Sequence, residues 1–194
     1  MRYSNKFDLF AITANKNIEL LLKQCVEFNP RIAVIADENL ADSCYESLKR
    51  SGCDTELRAG RQALNEVAGD SEVDIVIAAI VGSAGLNPTI HAAKNRKKIL
   101  LANKEALVMS GQLFMKTALD SGSTIIPIDS EHSGIFQCLN NADLGLNGIQ
   151  FNDIEKLVLT ASGGPFLKLD SSEFKYVTPE MACAHPTRGV GKKN

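Results

Sequence analysis

Apolar residues along this chain alternate between two spacings. Short continuous runs, Phe7–Ala14 (FDLFAITA), Ile32–Ala36 (IAVIA), Val73–Val81 (VDIVIAAIV), Ile99–Ala102 and Thr124–Ile128, have the length and β-branched content of buried strands. The Ile32–Ala36 run has the length of a parallel strand covered on both faces, and the Val73–Val81 run is the strongest buried-strand signal in the chain. Between the runs the spacing becomes helical. Asn17 is placed to cap a helix whose apolar positions Ile18, Leu21, Leu22, Cys25 and Val26 recur every three to four residues, and Pro30 closes it. Further helices are predicted over Leu40–Arg50 (stopped by Gly52), Gln62–Ala68, Pro88–Asn95 and Glu105–Leu119. Thr55–Arg58 reads as a short edge strand, and Gly82-Ser83-Ala84-Gly85 as the turn out of the longest apolar run.

Strand and helix alternate with short connections from Phe7 to Ile128, which predicts an α/β fold with a doubly wound parallel sheet. The turn-rich stretch 140–153 precedes one more predicted strand, Lys156–Thr160, and no internal repeat is present. A domain boundary is expected at Ile128, giving regions 1–128 and 129–194. At 194 residues the chain suits one domain and part of a second.

Composition narrows the function classes. Hydrophobic residues make up 44% and charged residues 23%, and a formal charge of −2 gives no electrostatic reason to expect nucleic acid or an anionic membrane as partner. No apolar run reaches the roughly 20 residues a bilayer span requires, and no signal-type segment follows Met1. Five scattered cysteines, Cys25, Cys44, Cys53, Cys138 and Cys183, lack Cys-x-x-Cys spacing. Neither a zinc site nor a disulfide framework is expected, and a reducing compartment fits.

In open parallel sheets, ligands sit at the carboxyl ends of the strands. The most informative such end is Ile125-Ile126-Pro127-Ile128-Asp129-Ser130-Glu131-His132. If the backbone stays extended, Asp129 and Glu131 point the same way and can share a hard cation such as Mg²⁺ or Mn²⁺. The competing reading is an acidic turn capping a helix that starts near Ser133. At Ala14-Asn15-Lys16-Asn17, polar side chains could meet a ribose or its 2′-phosphate, or form an ordinary cap. At Ala102-Asn103-Lys104-Glu105, Asn103 is a plausible N-cap and Lys104 projects at the positive end of a helix, where anions are favoured. Thr160-Ala161-Ser162-Gly163-Gly164-Pro165-Phe166 could cradle a phosphate on exposed N–H groups, or be a tight turn. Thr178 and Pro179 start a helix that delivers His185 at its far end.

Four stretches, AAIVGSAGL (Ala78–Leu86), LLANKEALV (Leu100–Val108), PIDSEHSGIFQCL (Pro127–Leu139) and LTASGGPF (Leu159–Phe166), together resemble the 1-deoxy-D-xylulose 5-phosphate reductoisomerase family. The resemblance covers nearly the whole chain. It implies a Rossmann-like NADPH-binding domain lacking its first strand, followed by the start of an α+β catalytic domain. It carries metal ligation onto Asp129 and Glu131, which with Lys104 form the implied catalytic set. Lys104, Ser130, Ser162 and His185 fall on substrate-binding positions, and Lys16, Asn17, Asn103, Glu105 and Gly191 on NADPH contacts. The implied reaction rearranges 1-deoxy-D-xylulose 5-phosphate and reduces the product with NADPH to 2-C-methyl-D-erythritol 4-phosphate, in non-mevalonate isoprenoid synthesis. Mg²⁺ or Mn²⁺ would polarise the substrate oxygens. The full-length family protein is expected to be a homodimer in a bacterial cytoplasm rather than a plastid.

Measured against that family, the chain has no Gly-x-Thr-Gly-x-x-Gly turn, and Phe7–Ala14 matches the family's second strand. The first strand lies mid-sheet in this topology. The sheet must therefore close across a gap or expose two edges, which is an aggregation hazard. Arg188 and Val190 stand where the family usually has a Trp and a Met in a closing loop, and no third carboxylate follows. The chain alone is expected to be inactive. The alternative is a non-catalytic remnant that binds phosphate or nucleotide. A third reading, a semialdehyde dehydrogenase, needs an activated cysteine, and Cys138 is expected at an apolar helical position, which ranks that reading last.

Overall fold

The computed structural model describes residues 6–139, 154–158 and 164–184. The chain divides into two compact units, Met1–Asp153 and Ile154–Asn194. Among the described residues of the first, six strands and six helices alternate: β1 (Ala11–Ala14), α1 (Ile18–Phe28), β2 (Ile32–Ile35), α2 (Ala41–Ser51), β3 (Glu56–Ala59), α3 (Gly60–Gly69), β4 (Ile75–Ala78), α4 (Leu86–Lys94), β5 (Lys98–Leu101), α5 (Glu105–Ser121), β6 (Thr124–Pro127) and α6 (Ser130–Gln137).

Helix ends follow local chemistry. Asn17 Oδ1 accepts the Leu20 N–H at 3.0 Å and starts α1. Gly52, at φ 70°, ends α2 in a left-handed conformation that costs glycine nothing. Pro88 sits in the first turn of α4, where its missing N–H has no helical partner to lose. Helix α5 runs two residues beyond the predicted Leu119 and carries a kink at Ser110.

All strand pairings are parallel, as the alternating pattern predicts, but they form two separate three-stranded sheets, β1-β2-β3 and β4-β5-β6. Of the two outcomes open to a sheet without its middle strand, the structure takes the second, and β1 and β4 are both edges. Period-two alternation decides what each face meets. On β2, Ala33 and Ile35 pack with Leu21, Cys25, Cys44 and Leu48 of α1 and α2. Ile32 and Val34 point the other way onto Ala63, Leu64 and Val67 of α3. In the second sheet, Ala78, Ile99, Leu101 and Ile125 pack with Ala92, Ala93, Phe114 and Ala118 of α4 and α5.

The opposite face of that second sheet is poorly covered. Ile77, Leu100 and Ile126 lie in register across its three strands, and Ile77 is 65% exposed. This overturns the expectation that Val73–Val81 is the most strongly buried strand, whereas Ile32–Ile35, expected to be covered on both faces, is buried throughout. The run also shortens to the four residues of β4. Its composition suits an interior strand, and the structure leaves it at an edge.

The second unit holds 3₁₀ turns at Gly164–Phe166 and Ser171–Tyr176 and a short helix, α7 (Pro179–Cys183). Thr178 Oγ1 accepts the Met181 N–H at 3.3 Å, so the predicted cap forms. The strand predicted over Lys156–Thr160 does not appear at 156–158, and Leu159 and Thr160 lie outside the described residues. All five cysteines are free. Cys138 is exposed just past α6, not at a covered helical position.

Candidate functional site

Strands β5 and β6 run side by side and end together, with Leu101 opposite Pro127 and the Ile128 N–H bonded to the Leu101 carbonyl at 3.0 Å. The loops that follow carry Lys104 and Asp129. Lys104 is the N-cap residue of α5, and Asp129 is the N-cap residue of α6. Two helix N-termini therefore emerge at one sheet end, each presenting unpaired backbone N–H groups where negative charge is favoured.

Asp129 and Glu131 do not extend along a strand. Asp129 Oδ1 accepts the His132 N–H at 3.1 Å, and α6 begins at Ser130, three residues before the expected start. Glu131 lies in the first helical turn. Capping wins locally because the Asp129 side chain satisfies an amide that otherwise has no helical partner. His132 Nδ1 also lies 2.8 Å from each Asp129 carboxylate oxygen.

Both carboxyls are held below their ordinary range. For Asp129, partial burial pushes upward but is outweighed by the His132 backbone and side-chain hydrogen bonds and by the charges of His132 and Lys104. Glu131 is lowered by a hydrogen bond from Ser130 and by its helix-start backbone; Lys104 adds to this while Asp129 opposes it. The Lys104 charge thus reaches both carboxylates. Two ionised hard-oxygen donors beside a cationic side chain are a donor set that fits a divalent cation as two of its ligands. Among the described residues no group of three acidic, His or Cys side chains converges on one point.

Asn103 behaves differently from expectation. It does not cap α5. It is 3% exposed, and its Nδ2 donates to the carbonyls of Ile80 at 2.5 Å and Gly82 at 3.1 Å, tying the loop after β4 to the end of β5. Its Oδ1 is buried without a hydrogen-bond partner. Gly85 belongs to the same knot, because a Cβ there would run into Asn103 Nδ2 and the Ile80 carbonyl. Glu105 is the first residue of α5.

At the end of the first sheet, the Asn17 side chain is committed to capping α1. Lys16 is mostly exposed and lies 3.6 Å from Asp37 Oδ2. Asp37, just past β2, is held below its ordinary range by Asn39 backbone and side-chain hydrogen bonds and by Lys16. In the sequence Asp37 carries no candidate role, and His132, like His91, reads as a lone histidine of the kind that is more often structural than catalytic. A polar residue directly after an apolar strand run was the available signal for the first. For the second, only the three-residue spacing from Asp129 pointed to it. Ser162, His185 and Gly191 lie outside the described residues.

A parallel α/β scaffold with acidic and basic helix starts at its strand ends is of the doubly wound, Rossmann-like class, with a polar site at the topologically favoured position. Family models described as 1-deoxy-D-xylulose 5-phosphate reductoisomerase and its C-terminal domain match residues 1–111 and 125–194. The chain belongs to the 1-deoxy-D-xylulose 5-phosphate reductoisomerase family. It is 48% identical over 194 residues to that enzyme from Cellvibrio japonicus, covering 99% of this chain and 49% of the relative. It is 47% identical over 192 residues to that of Dechloromonas aromatica, covering 99% of this chain and 48% of the relative. A crystal structure of DOX-P reductoisomerase in complex with NADPH, fosmidomycin and magnesium superposes with TM-score 0.81 at 40% identity, over 98% of this chain and 47% of that one. The Zymomonas mobilis enzyme in complex with NADPH gives TM-score 0.79 at 38% identity, over 95% of this chain and 46% of that one. The chain spans about half the length of the curated relatives it matches. No helix among the described residues is long and apolar enough to cross a membrane.

Proposed function

We propose that this chain supplies the nucleotide-binding half and the first metal- and substrate-binding residues of an NADPH-dependent reductoisomerase. That enzyme converts 1-deoxy-D-xylulose 5-phosphate to 2-C-methyl-D-erythritol 4-phosphate. The observation that carries the reading is the charge cluster at the ends of β5 and β6, where Lys104 bears on both Asp129 and Glu131.

Asp129 and Glu131 would hold Mg²⁺ or Mn²⁺, and their depressed protonation keeps both available as ionised oxygen donors at neutral pH. The cation, when bound, polarises the carbonyl and hydroxyl oxygens of the substrate, and NADPH supplies the hydride. Lys104, at the start of α5, places fixed positive charge where negative charge develops on the substrate. Ser130 adds a hydroxyl at the start of α6, and Ser162 and His185 are assigned to the substrate phosphate and hydroxyketone on the motif match. For NADPH, Lys16 and Glu105 retain the contact roles expected of them, as does Gly191. Asn17 and Asn103 act by shaping the loops, since their side chains are committed to α1 and to the Ile80–Gly82 carbonyls. The division between nucleotide and catalytic regions is proposed at 128/129, a few residues inside the second family segment, which begins at 125. A homodimer is proposed for the full-length form.

The test replaces the matching half of the Cellvibrio japonicus enzyme with this chain and follows NADPH oxidation with substrate and Mn²⁺. Turnover that is lost in Lys104→Ala and Asp129→Asn is expected. A folded hybrid that binds NADPH without oxidising it would reject the catalytic reading and leave a nucleotide-binding remnant.

A further inference from the structure

Cysteines far apart in the sequence meet where α1 ends. Cys25 on α1 and Cys44 on α2 are buried, and Cys53, between the end of α2 and β3, is half-buried. Cys53 reaches back across a chain separation of 28 residues, so that its Sγ lies 3.6 Å from the Cys25 carbonyl oxygen and 3.9 Å from Asn29 Oδ1. Thr55 joins the two cysteines. It is buried, its hydroxyl donates its single proton to the Pro30 carbonyl at 2.8 Å, and its oxygen stands 3.0 Å from Cys53 Sγ. The same hydroxyl also bonds the Cys25 thiol, so one buried oxygen bridges both sulfurs. Burial, and after it the neighbouring Cys53 and Cys44, hold the Cys25 thiol above its ordinary range, while the Thr55 hydroxyl opposes the rise.

We infer that Cys25 and Cys53 form an oxidation site, at which a small-molecule disulfide such as oxidised glutathione leaves an intramolecular Cys25–Cys53 bond that clamps the last turn of α1 to the entry of β3. Access sets the order of events. Bulk reagent reaches half-buried Cys53 and not Cys25, which is closed off in the core. The Cys53 thiolate attacks one sulfur of the reagent, the reagent's S–S bond breaks, and one glutathione leaves as its thiolate. Cys25 then attacks the Cys53 sulfur, its proton passes to the second glutathione as that departs, and the new S–S bond closes. Two protein thiols have lost two electrons and two protons, and one reagent molecule has become two thiols.

The contacts of Cys53 run to Cys25, Asn29 and Thr55, which favours Cys25 over Cys44 as its partner. Each of those three contacts offers Cys53 a hydrogen-bond acceptor, which favours thiol over thiolate, so the bond forms over hours rather than seconds. Once formed, it closes a loop of 28 residues and restricts the unfolded chain. A bond of this kind is a reversible response to oxidant, not a structural framework. This inference does not rest on the reductoisomerase chemistry, and it can fail or hold independently of it.

Incubation of the purified 194-residue chain with millimolar oxidised glutathione at pH 8 tests it, with digestion under non-reducing conditions and mass spectrometry to map the products. The expected product joins the Cys25 and Cys53 peptides with loss of two hydrogens, while exposed Cys138 carries only glutathione. Cys25→Ser is expected to stop at glutathione on Cys53, and Cys53→Ser to leave Cys25 unmodified. The urea midpoint of the oxidised chain is expected to rise and to return on addition of dithiothreitol. Glutathione retained on Cys53 in the parent chain, a Cys25–Cys44 bridge, a bridge between chains, or Cys25–Cys53 linkage that forms only in urea would each overturn the inference. So would an oxidised chain no more stable than the reduced one.

Discussion

His132 Nδ1 stands 2.8 Å from both carboxylate oxygens of Asp129, while Asp129 in turn caps the helix that carries His132. One carboxylate thus closes a local ring of hydrogen bonds at the end of β6. Replacing His132 with Ala removes the ring nitrogen but leaves the backbone cap. The Asp129 carboxyl is then expected to move up toward the ordinary range, read as a shift in the NMR titration of its carboxyl carbon. An unchanged titration would mean that the backbone hydrogen bond and Lys104 account for the depression without His132.

Capping and charge can be separated at the same residue. Asp129→Ala is expected to cost about 1 kcal/mol in urea unfolding, through loss of the cap. Asn also caps well, so Asp129→Asn is expected to keep nearly all of that stability while weakening Mg²⁺ binding, measured by calorimetric titration. Equal losses of stability in the two variants would show that the carboxylate charge, not the cap, holds the start of α6.

Acid stability follows from the same group. Its folded-state pKa is depressed, so its contribution is present above the unfolded-state value of about 3.9 and fades as pH falls through the folded value. The urea midpoint is expected to drop as pH is lowered below about 4, and the drop is expected to be smaller in Asp129→Asn. Parallel pH profiles for the two proteins would remove Asp129 from the account.

Asn103 is expected to matter through the loop it holds. Asn103→Ala leaves the Ile80 and Gly82 carbonyls without that donor and is expected to cost about 1–3 kcal/mol. Gly85→Ala drives a methyl into the same knot and is expected to destabilise by a similar amount, about 1–3 kcal/mol. Chemical denaturation of both variants checks this, and near-parental stability in Asn103→Ala would show that water replaces the amide.

The thiols are expected to separate by burial. Burial pushes the Cys25 thiol up to about 11, with Cys53 and Cys44 adding to the rise, and burial also raises Cys44. At pH 8, alkylation followed by mass spectrometry is expected to label the exposed Cys138 in the folded chain and to reach Cys25 and Cys44 only in denaturant. Rapid native-state labelling of Cys25 would show that α1 opens away from β2.

Much of the fold was legible because it is local. Apolar run length, the Asn17 cap and Gly52 each depend on a few neighbouring residues, and each gives the predicted element. The four motifs likewise identified the family, since side-chain identity at set spacing is a property of the chain alone. Other features rested on partners that no local window contains. The letters of Asp129-Ser130-Glu131 suit a strand tip or a helix start equally, and the unpaired amide of His132 decided for the helix. Asn103 reads as a cap, yet the carbonyls of Ile80 and Gly82, more than twenty residues away, claim its amide. The run containing β4 spells an interior strand, and only the tertiary arrangement shows its edge bare, because strand burial depends on what lies alongside rather than on the strand's own composition.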